Sequence, residues 1–561
     1  MWKKLFPASE WLIGYKLKIL GNDAIAGITL AAYAIPVSLA YAMLAGLPPQ
    51  YGIYGYLLGG LFYAMLGTGR QLAIGPTSAI SLLIGTTIAG MANGDPQRWA
   101  DIASLTALVF AIMSILAYLL RLSGLINFIS DTVLLGFKAG AAFAIGLTQL
   151  PKLFGVPGGG ESFFERLIAL CSQLPQTNIT VFIFGAIAIG VIIAGEKIFP
   201  GRPIAIIVVI ISIILISETL LGEAGFNTVG ILPSGLPHIS FPTLRIQDVD
   251  GVIPLAFACF LLAYIESVSA AKTLAQKNDY EIDPRQELLA LGAANFATAL
   301  GQGYPVSGGL SQSAVNEKAG AKTPVSLVFA SAVIALCLLF LTGMLKDLPT
   351  VILACIVLVA IRGLVDVKEF IHLWRMHRTD FMIALIAMIG VIVFGILKGV
   401  LLAAVITLIL MIKAVSNPHV AFLGRIPGTN RYTDVSRHPD NESIPGILLF
   451  RVEASLLYFN VDNIRHVVWS KILESDSSLK TVIMDLSTSP YVDRAGAKMI
   501  KRLYMDLQQK GILLKIAEAL ASVRDMLRSE EIEHLVGHIS RKDSIEDIVK
   551  DSIVEDSTNA I

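Results

Sequence analysis

Over the first 416 residues, apolar positions come in long runs broken by Gly and Pro; beyond them the chain turns to short blocks that alternate with polar residues. A helix needs about 20 apolar residues to cross the hydrocarbon core of a bilayer. Runs of this kind lie at 24–45, 51–68, 75–92, 103–120, 131–151, 179–196, 203–220, 252–271, 286–303, 309–320, 325–344, 347–366, 380–397 and 398–416. Counting alone predicts about twelve to fourteen spans, because the runs near 309 and 398 are short or fused. Residues 1–22 mix charged and aromatic side chains and read as an N-terminal cytoplasmic segment, not a cleaved signal. The membrane domain is thus expected over 23–416.

Residues 417–445 are rich in Pro, Gly, Asn and Asp and read as a linker. After them come an apolar strand at 447–452, an amphipathic helix at 461–473 and a buried-strand pattern at 481–486. A helix at 494–509, a strand at 512–516 and at least one further helix follow. Strands alternating with helices indicate a small α/β domain, placed at 446–550. The last residues, 551–561, read as a polar frayed tail.

Composition agrees with this division. Hydrophobic residues make up 55% of the chain and charged residues 15%, against about 25% charge in soluble domains. Net charge is +0 with no large basic block, which argues against nucleic acid as a partner. The four cysteines are widely spaced and show no disulfide framework or metal spacing. No HExxH, CxxC or phosphate loop is present, and the Gly-rich stretch Gly155-Val156-Pro157-Gly158-Gly159-Gly160 lacks the Lys-Ser/Thr of one. Neither an enzyme nor a cofactor nor a metal site is predicted.

Loop charge sets the orientation through the positive-inside rule. With the N-terminus inside, inner loops hold Arg70, Arg121, Lys197, Arg202, Lys272, Lys277, Arg285, Lys318, Lys322, Arg375 and Arg378. The outer loops hold only Arg98, Lys152, Arg166, Arg245, Lys346 and Lys398. The chain is expected in a cell (plasma or inner) membrane, among lipid, with both ends cytoplasmic.

Two segments put glycine, proline and hydroxyls inside lipid-compatible runs: Ile74-Gly75-Pro76-Thr77-Ser78-Ala79, and the stretch from Gly303 through Ser307, Gly308, Gly309, Leu310, Ser311 and Gln312 to Ala314. Each reads as extended backbone opening into a helix partway across the membrane. Irregular backbone at that depth persists only where protein or a watery cavity surrounds it. A helix N-terminus there offers free N–H groups and a positive dipole end to an anion. Their matching positions in the two halves point to a midplane site in an inverted-repeat transporter. Read singly, each is equally a kink or a small-residue packing contact.

Glu266 is the lone acidic residue of 256–271. It should face a cavity or hold a proton, and could hold H⁺ or help hold Na⁺ beside an anion; the bland reading is a structural hydrogen bond or ion pair. Ser269 lies one turn on and can share its face. In the first span, Tyr33-Ala34-Ile35-Pro36 frees a backbone carbonyl and bends the helix, for function or for packing. Lys138 either snorkels inward, pairs with Asp131 or serves transport.

The run Pro36-Val37-Ser38-Leu39-Ala40-Tyr41-Ala42-Met43-Leu44-Ala45-Gly46-Leu47-Pro48-Pro49-Gln50-Tyr51-Gly52 resembles the signature of the SulP (sulfate permease) family. Arg70-Gln71-Leu72-Ala73-Ile74-Gly75-Pro76, the stretch 136–140 and Ser311-Gln312-Ser313-Ala314-Val315-Asn316 resemble further parts of it. Met484-Asp485-Leu486-Ser487, with Val492-Asp493 and Gly496, resembles STAS domains. The resemblance implies an all-α polytopic domain of fourteen spans, built as a seven-plus-seven inverted repeat with core and gate subdomains, plus a cytoplasmic α/β STAS domain, in a homodimer.

It also implies an anion between the ends of the third and tenth spans and a coupling carboxylate at Glu266. The site residues so implied are Tyr33, Ala34, Gly75, Pro76, Thr77, Ser78, Ser307, Gly308, Gly309, Leu310, Ser311 and Gln312, with Glu266 and Ser269 for coupling. Val37 stands where members often have Gln, and Gln312 where many have Arg, which points away from pure exchange and toward H⁺ symport, with Na⁺ second. Arg494 and Ala495 follow Asp493 where regulatory relatives place a phosphorylatable Ser, so the tail is expected to be structural or dimer-supporting. The function expected is secondary transport of a small sulfate-type oxyanion. The alternatives are a Na⁺-coupled bicarbonate or C4-dicarboxylate transporter and a non-transporting anion sensor.

Overall fold

The computed structural model describes residues 7, 15–92, 95–124, 131–160, 162–199, 203–218, 225–243, 245–475, 478–537, 539–540 and 544–558. Arg202, counted above among the inner charges, lies outside them, as does the side chain of Asp131. The chain divides into two units, Met1–Thr407 and Leu408–Ile561.

In the first unit, helices α1 (Leu17–Leu44) and α2 (Gln50–Leu66) lead into a two-residue strand, β1 (Ile74–Gly75), and then α3 (Ser78–Ala92) and α4 (Pro96–Leu119). Next come α5 (Asp131–Phe154), α6 (Phe163–Gln173), α7 (Ile179–Ile198) and α8 (Ile204–Glu218). The order then recurs: α9 (Val249–Lys277), α10 (Pro284–Leu300), a two-residue strand β2 (Ser307–Gly308), α11 (Leu310–Lys318), α12 (Val325–Phe340), α13 (Thr350–Ile361), α14 (Val367–Met376), α15 (Arg378–Phe394) and α16 (Ile396–Ser416), whose residues from Leu408 on fall in the second unit.

Every predicted run carries a helix, and the two halves repeat the same sequence of elements. Two helices come as corrections. Neither α6 nor α14 was predicted, because each is short and amphipathic and falls far below a spanning length; they occupy corresponding places in the two halves. Among the described residues six helices are long and apolar enough to cross a membrane, with three shorter apolar helices besides. Apolar side chains such as Ile183, Ile187, Ile210 and Ile214 point outward, as lipid-facing residues do.

Packing follows two groups. Helix α10 lies against α4 and α2, and α12 against α1 and α2, while α5 packs with α15 and α13. Gly136 and Gly140 explain the last contact. A Cβ on Gly136 would lie 2.0 Å from the Ala384 carbonyl oxygen, and one on Gly140 2.7 Å from that of Met388. Two glycines four apart let α5 and α15 approach backbone to backbone.

Helix α1 starts at Leu17, well before the apolar run, and continues through Pro36 without a break. Its Asp23 is fully buried and accepts bonds from the Lys322 amide (2.7 Å) and the Thr323 hydroxyl (2.6 Å). Glu287, equally buried on α10, accepts from Tyr63 Oη (2.7 Å), Thr68 N (2.8 Å) and Thr68 Oγ1 (2.5 Å). Each carboxylate grips a loop adjoining one half-helix. Hydrogen bonds of this kind offset the cost of burying a polar group.

The second unit holds β3 (Val420–Arg425), β4 (Tyr432–Asp434), β5 (Ile447–Val452), α17 (Val461–Glu474), β6 (Thr481–Asp485), α18 (Arg494–Gln508), β7 (Leu513–Ala517), α19 (Ala521–Ser529), α20 (Glu533–Val536) and α21 (Ile545–Thr558). The sheet order is β4-β3-β5-β6-β7, antiparallel on the β3 side and parallel from β5 to β7. The boundaries placed on this region need correction. The supposed linker 417–445 contributes two strands to the sheet, with Val420 and Leu423 buried on opposite faces as the period of two requires. The supposed frayed tail is helical to Thr558, and α21 covers one face of the sheet with Ile545, Ile548 and Val549.

Asp493 caps α18, accepting from the Gly496 and Tyr458 amides at 2.8 Å each. Glu546 on α21 accepts from Tyr432 Oη (2.6 Å) and Arg425 (3.2 Å), and the tyrosine bond, helped by Lys550 and Arg425, holds its carboxyl below the usual range. A depressed carboxyl adds stability above its unfolded pKa, about 4.3, and that stability is lost as pH falls through the lower folded value. Amide protection of β3 should therefore fall on acidification below about pH 4, and Glu546→Gln should blunt the fall; an unchanged acid profile in the variant would contradict this role.

Candidate functional site

The two broken segments meet. Strand β1 pairs antiparallel with β2, Ile74 opposite Gly308 and Gly75 opposite Ser307, so α3 and α11 begin beside one another. Gly75 is required at the crossing, where a Cβ would lie 2.4 Å from the Tyr56 ring. Side chains of neighbouring helices satisfy the backbone that this short ladder leaves over. Asn295 accepts from Val306 N (2.9 Å) and donates to Val306 O (3.0 Å). Ser267 accepts from Gly308 N (2.7 Å), and Ser313 from Ala73 N (2.9 Å). Asn316 donates to Gln71 O at 3.1 Å.

Gln312 completes this brace. Its Nε2 donates to Ala73 O (2.9 Å) and Ser307 O (3.2 Å), and its Oε1 accepts from Tyr56 Oη. A carboxamide has two N–H donors, and both are spent on carbonyls. The reading of Gln312 as an anion ligand is corrected accordingly: it lines the site but has no donor left to offer.

Glu266 projects from α9 to the same point. Its Oε2 lies 3.1 Å from Ser307 Oγ and 3.4 Å from Thr77 Oγ1, and those two hydroxyls are 3.3 Å apart. One carboxylate oxygen thus touches both broken segments. Beside it is a cavity of about 120 Å³. One water takes about 30 Å³ in the liquid, so the space suits one small oxyanion or a few waters.

Of the expected residues, Tyr33, Thr77, Ser78, Gly309, Leu310, Ser311, Gln312, Glu266 and Ser269 line this cavity. Ala34, Gly75, Pro76, Ser307 and Gly308 do not; they are buried behind it, and Ser307 reaches the site through its bonds to Glu266 and Thr77. No side chain caps α11 at Gly309, and the first amides of a helix have no partner within it. The cavity wall therefore carries uncapped N–H groups, hydroxyls, one carboxylate and one amine.

That amine is Lys138, which lines the cavity with Glu266. Tyr41 and Thr273 were missed. Both carried a signal: Tyr41 is eight residues after Tyr33, and Thr273 completes the stripe Glu266, Ser269, Ala270, Thr273, the spacing of one helix face. A larger cavity of about 500 Å³ shares Tyr33, Ser311, Ala360 and Gly363 with this one and is bordered by Glu196, Lys197, Lys318 and Arg362. The larger cavity thus forms a basic vestibule adjoining the site. Among the described residues, no group of three or more His, Cys, Asp or Glu is placed to hold a metal ion.

The family model for the sulfate permease family matches residues 20–387, and that for the STAS domain matches 438–546. The chain is 32% identical over 555 residues to sulfate transporter 4.1, chloroplastic, of Arabidopsis thaliana, covering 95% of this chain and 80% of that one. Among solved structures, SLC26A9 superposes with a TM-score of 0.88 at 22% identity, covering 99% of this chain and 94% of that one. The transmembrane domain of a cyanobacterium bicarbonate transporter, BicA, gives 0.61 at 21% identity over 70% of this chain and 98% of that one. The chain belongs to the sulfate permease family, as a membrane protein with a C-terminal STAS domain. That is a family of transporters, not of enzymes.

If Gln312 is a brace, Gln312→Leu should strand the carbonyls of Ala73 and Ser307 and the Tyr56 hydroxyl. Each buried group left unpaired costs about 1–3 kcal/mol, so thermal unfolding in detergent should begin several degrees lower. An unshifted unfolding temperature would count against the brace.

Proposed function

We propose that this chain is a secondary active transporter of a small inorganic oxyanion of the sulfate class, working as an H⁺ symporter. The anion rests at the N-terminal ends of α3 and α11, held by first-turn amides and by the hydroxyls of Ser78 and Ser311. Tyr33 and Tyr41 close its side, while Ala34, Gly75 and Pro76 shape the backbone. Family membership supports the substrate class.

One observation carries the coupling. Glu266 is tied to Thr77 and Ser307, one from each broken segment, at the edge of the cavity. An anion arriving there meets a carboxylate, and two like charges at such range in a low dielectric repel strongly. Protonating Glu266 removes the repulsion, so proton and anion load together; Na⁺ beside the carboxylate is the second reading. Lys138 balances the carboxylate when the site is empty. With Lys197 and other loop cations inside, the basic vestibule faces the cytoplasm, both termini are cytoplasmic and the arrangement is inward-facing.

The helices gathered around α10 and α12 carry the site, bound as one body by the clamps at Asp23 and Glu287. That body moves against the group around α5, α13 and α15 in an elevator or rocking motion, within a homodimer in the cell membrane. The tail supports assembly, since the cap at Asp493 offers no neighbouring hydroxyl to modify.

The test is accumulation in proteoliposomes. A pH difference of one unit sustains about tenfold accumulation per coupled proton. The wild-type chain should concentrate labelled sulfate under an inward proton gradient, and Glu266→Gln should lose accumulation yet keep sulfate-for-sulfate exchange. Normal accumulation in the variant removes Glu266 from coupling; no uptake of sulfate by the wild type under a proton or sodium gradient overturns the reading.

A further inference from the structure

Helix α3 begins at the central cavity and ends elsewhere. From Ser78 to Thr86 it rises about 12 Å, and there Leu82, Thr86 and Arg166 are shared by two adjoining cavities of about 300 and 440 Å³. Neither has a residue in common with the central cavity. They lie at the end of the unit that carries fewer loop cations, the outer face in the orientation proposed above.

The charge within them is concentrated. Lys152 lines the first, Lys398 the second, and Arg166 both. Among the described residues the one carboxylate lining them is Glu165, which accepts the Ser162 amide at 3.3 Å in the capping box of α6. Arg166 is aimed by the glycine loop: its Nε donates to Gly160 O at 3.1 Å. Gly160 has φ +90, and a Cβ on it would lie 2.7 Å from Arg166 N, so only glycine lets the loop close on α6 there. Three cations from α5, α6 and α16 thus border two adjoining concave surfaces, with Arg166 on both, an arrangement that focuses field and concentrates anions.

We propose that Lys152, Arg166 and Lys398 form an outer reception site that binds a divalent oxyanion before it reaches the central cavity. The inference rests on the transport reading for its ligand but concerns a separate site. The anion is received beside Thr86 and passes along α3 to Ser78 when the carrying group moves outward. Affinity there acts on capture from outside and leaves release inside untouched.

Sided kinetics test it. Removing one charge beside a divalent anion should raise KM for external sulfate about fivefold in Lys152→Gln and in Lys398→Gln at low ionic strength. The kcat for influx and the KM for efflux should stay at wild-type values, with the efflux kcat falling by the same factor because detailed balance fixes the ratio of kcat/KM in the two directions, and Lys152→Arg should restore the external KM. An unchanged external KM in both variants, or an equal rise from both sides, overturns the proposal. A second measurement does not need transport. In a Cys171→Ser background, Thr87→Cys should react with a membrane-impermeant thiol reagent applied outside, and external sulfate should slow that reaction. If wild type moves no anion the transport reading fails, and labelling alone decides the outer site: protection by sulfate upholds it, and its absence overturns it.

Discussion

Backbone polar groups left unpaired inside a membrane domain are costly, and this chain interrupts two helices where that cost is highest. Nearly everything around the site answers that constraint. The β1–β2 ladder pairs the two breaks with each other, and Asn295, Ser267, Ser313, Asn316 and Gln312 take up what the ladder leaves. What remains unpaired is the set of first-turn amides that open α3 and α11. The same economy that makes the breaks tolerable leaves those amides open beside the cavity.

The half-helices are tied to the helices around them. Asp23 fastens α1 to the loop after α11, and Glu287 fastens α10 to the loop before β1. Each does so with backbone amides as well as side chains, so the half-helices are held from both ends of the repeat. Elsewhere in the unit the glycine seam brings α5 and α15 together backbone to backbone. Glu266 meets both broken segments, because one carboxylate oxygen bonds Ser307 and Thr77 at the edge of the cavity.

Much of this could be read from the chain. The Gly-Pro-hydroxyl clusters at 74–79 and 303–314 showed where helices break, and Glu266 stood out because nothing else acidic shares its run. The orientation of a side chain within a cluster was not legible. Gln312 looked like a ligand, but its carboxamide is turned into the backbone, and Ser307 faces Glu266 rather than the void. The helices α6 and α14 escaped because a ten-residue amphipathic stretch resembles a loop between spans. Strands β3 and β4 escaped because turn-forming residues around them read as a linker, although Val420 and Leu423 already alternate. Tyr41 and Thr273 were within reach of periodicity.

The central claim is that α3 and α11 hold the anion between their N-terminal ends. Anomalous diffraction from the protein soaked in selenate measures that directly. The account predicts a selenium peak in the cavity bounded by Ser78, Ser311 and Glu266, within hydrogen-bonding reach of the first-turn amides of both helices. A cavity free of selenium, with the peak seated only elsewhere, would contradict it.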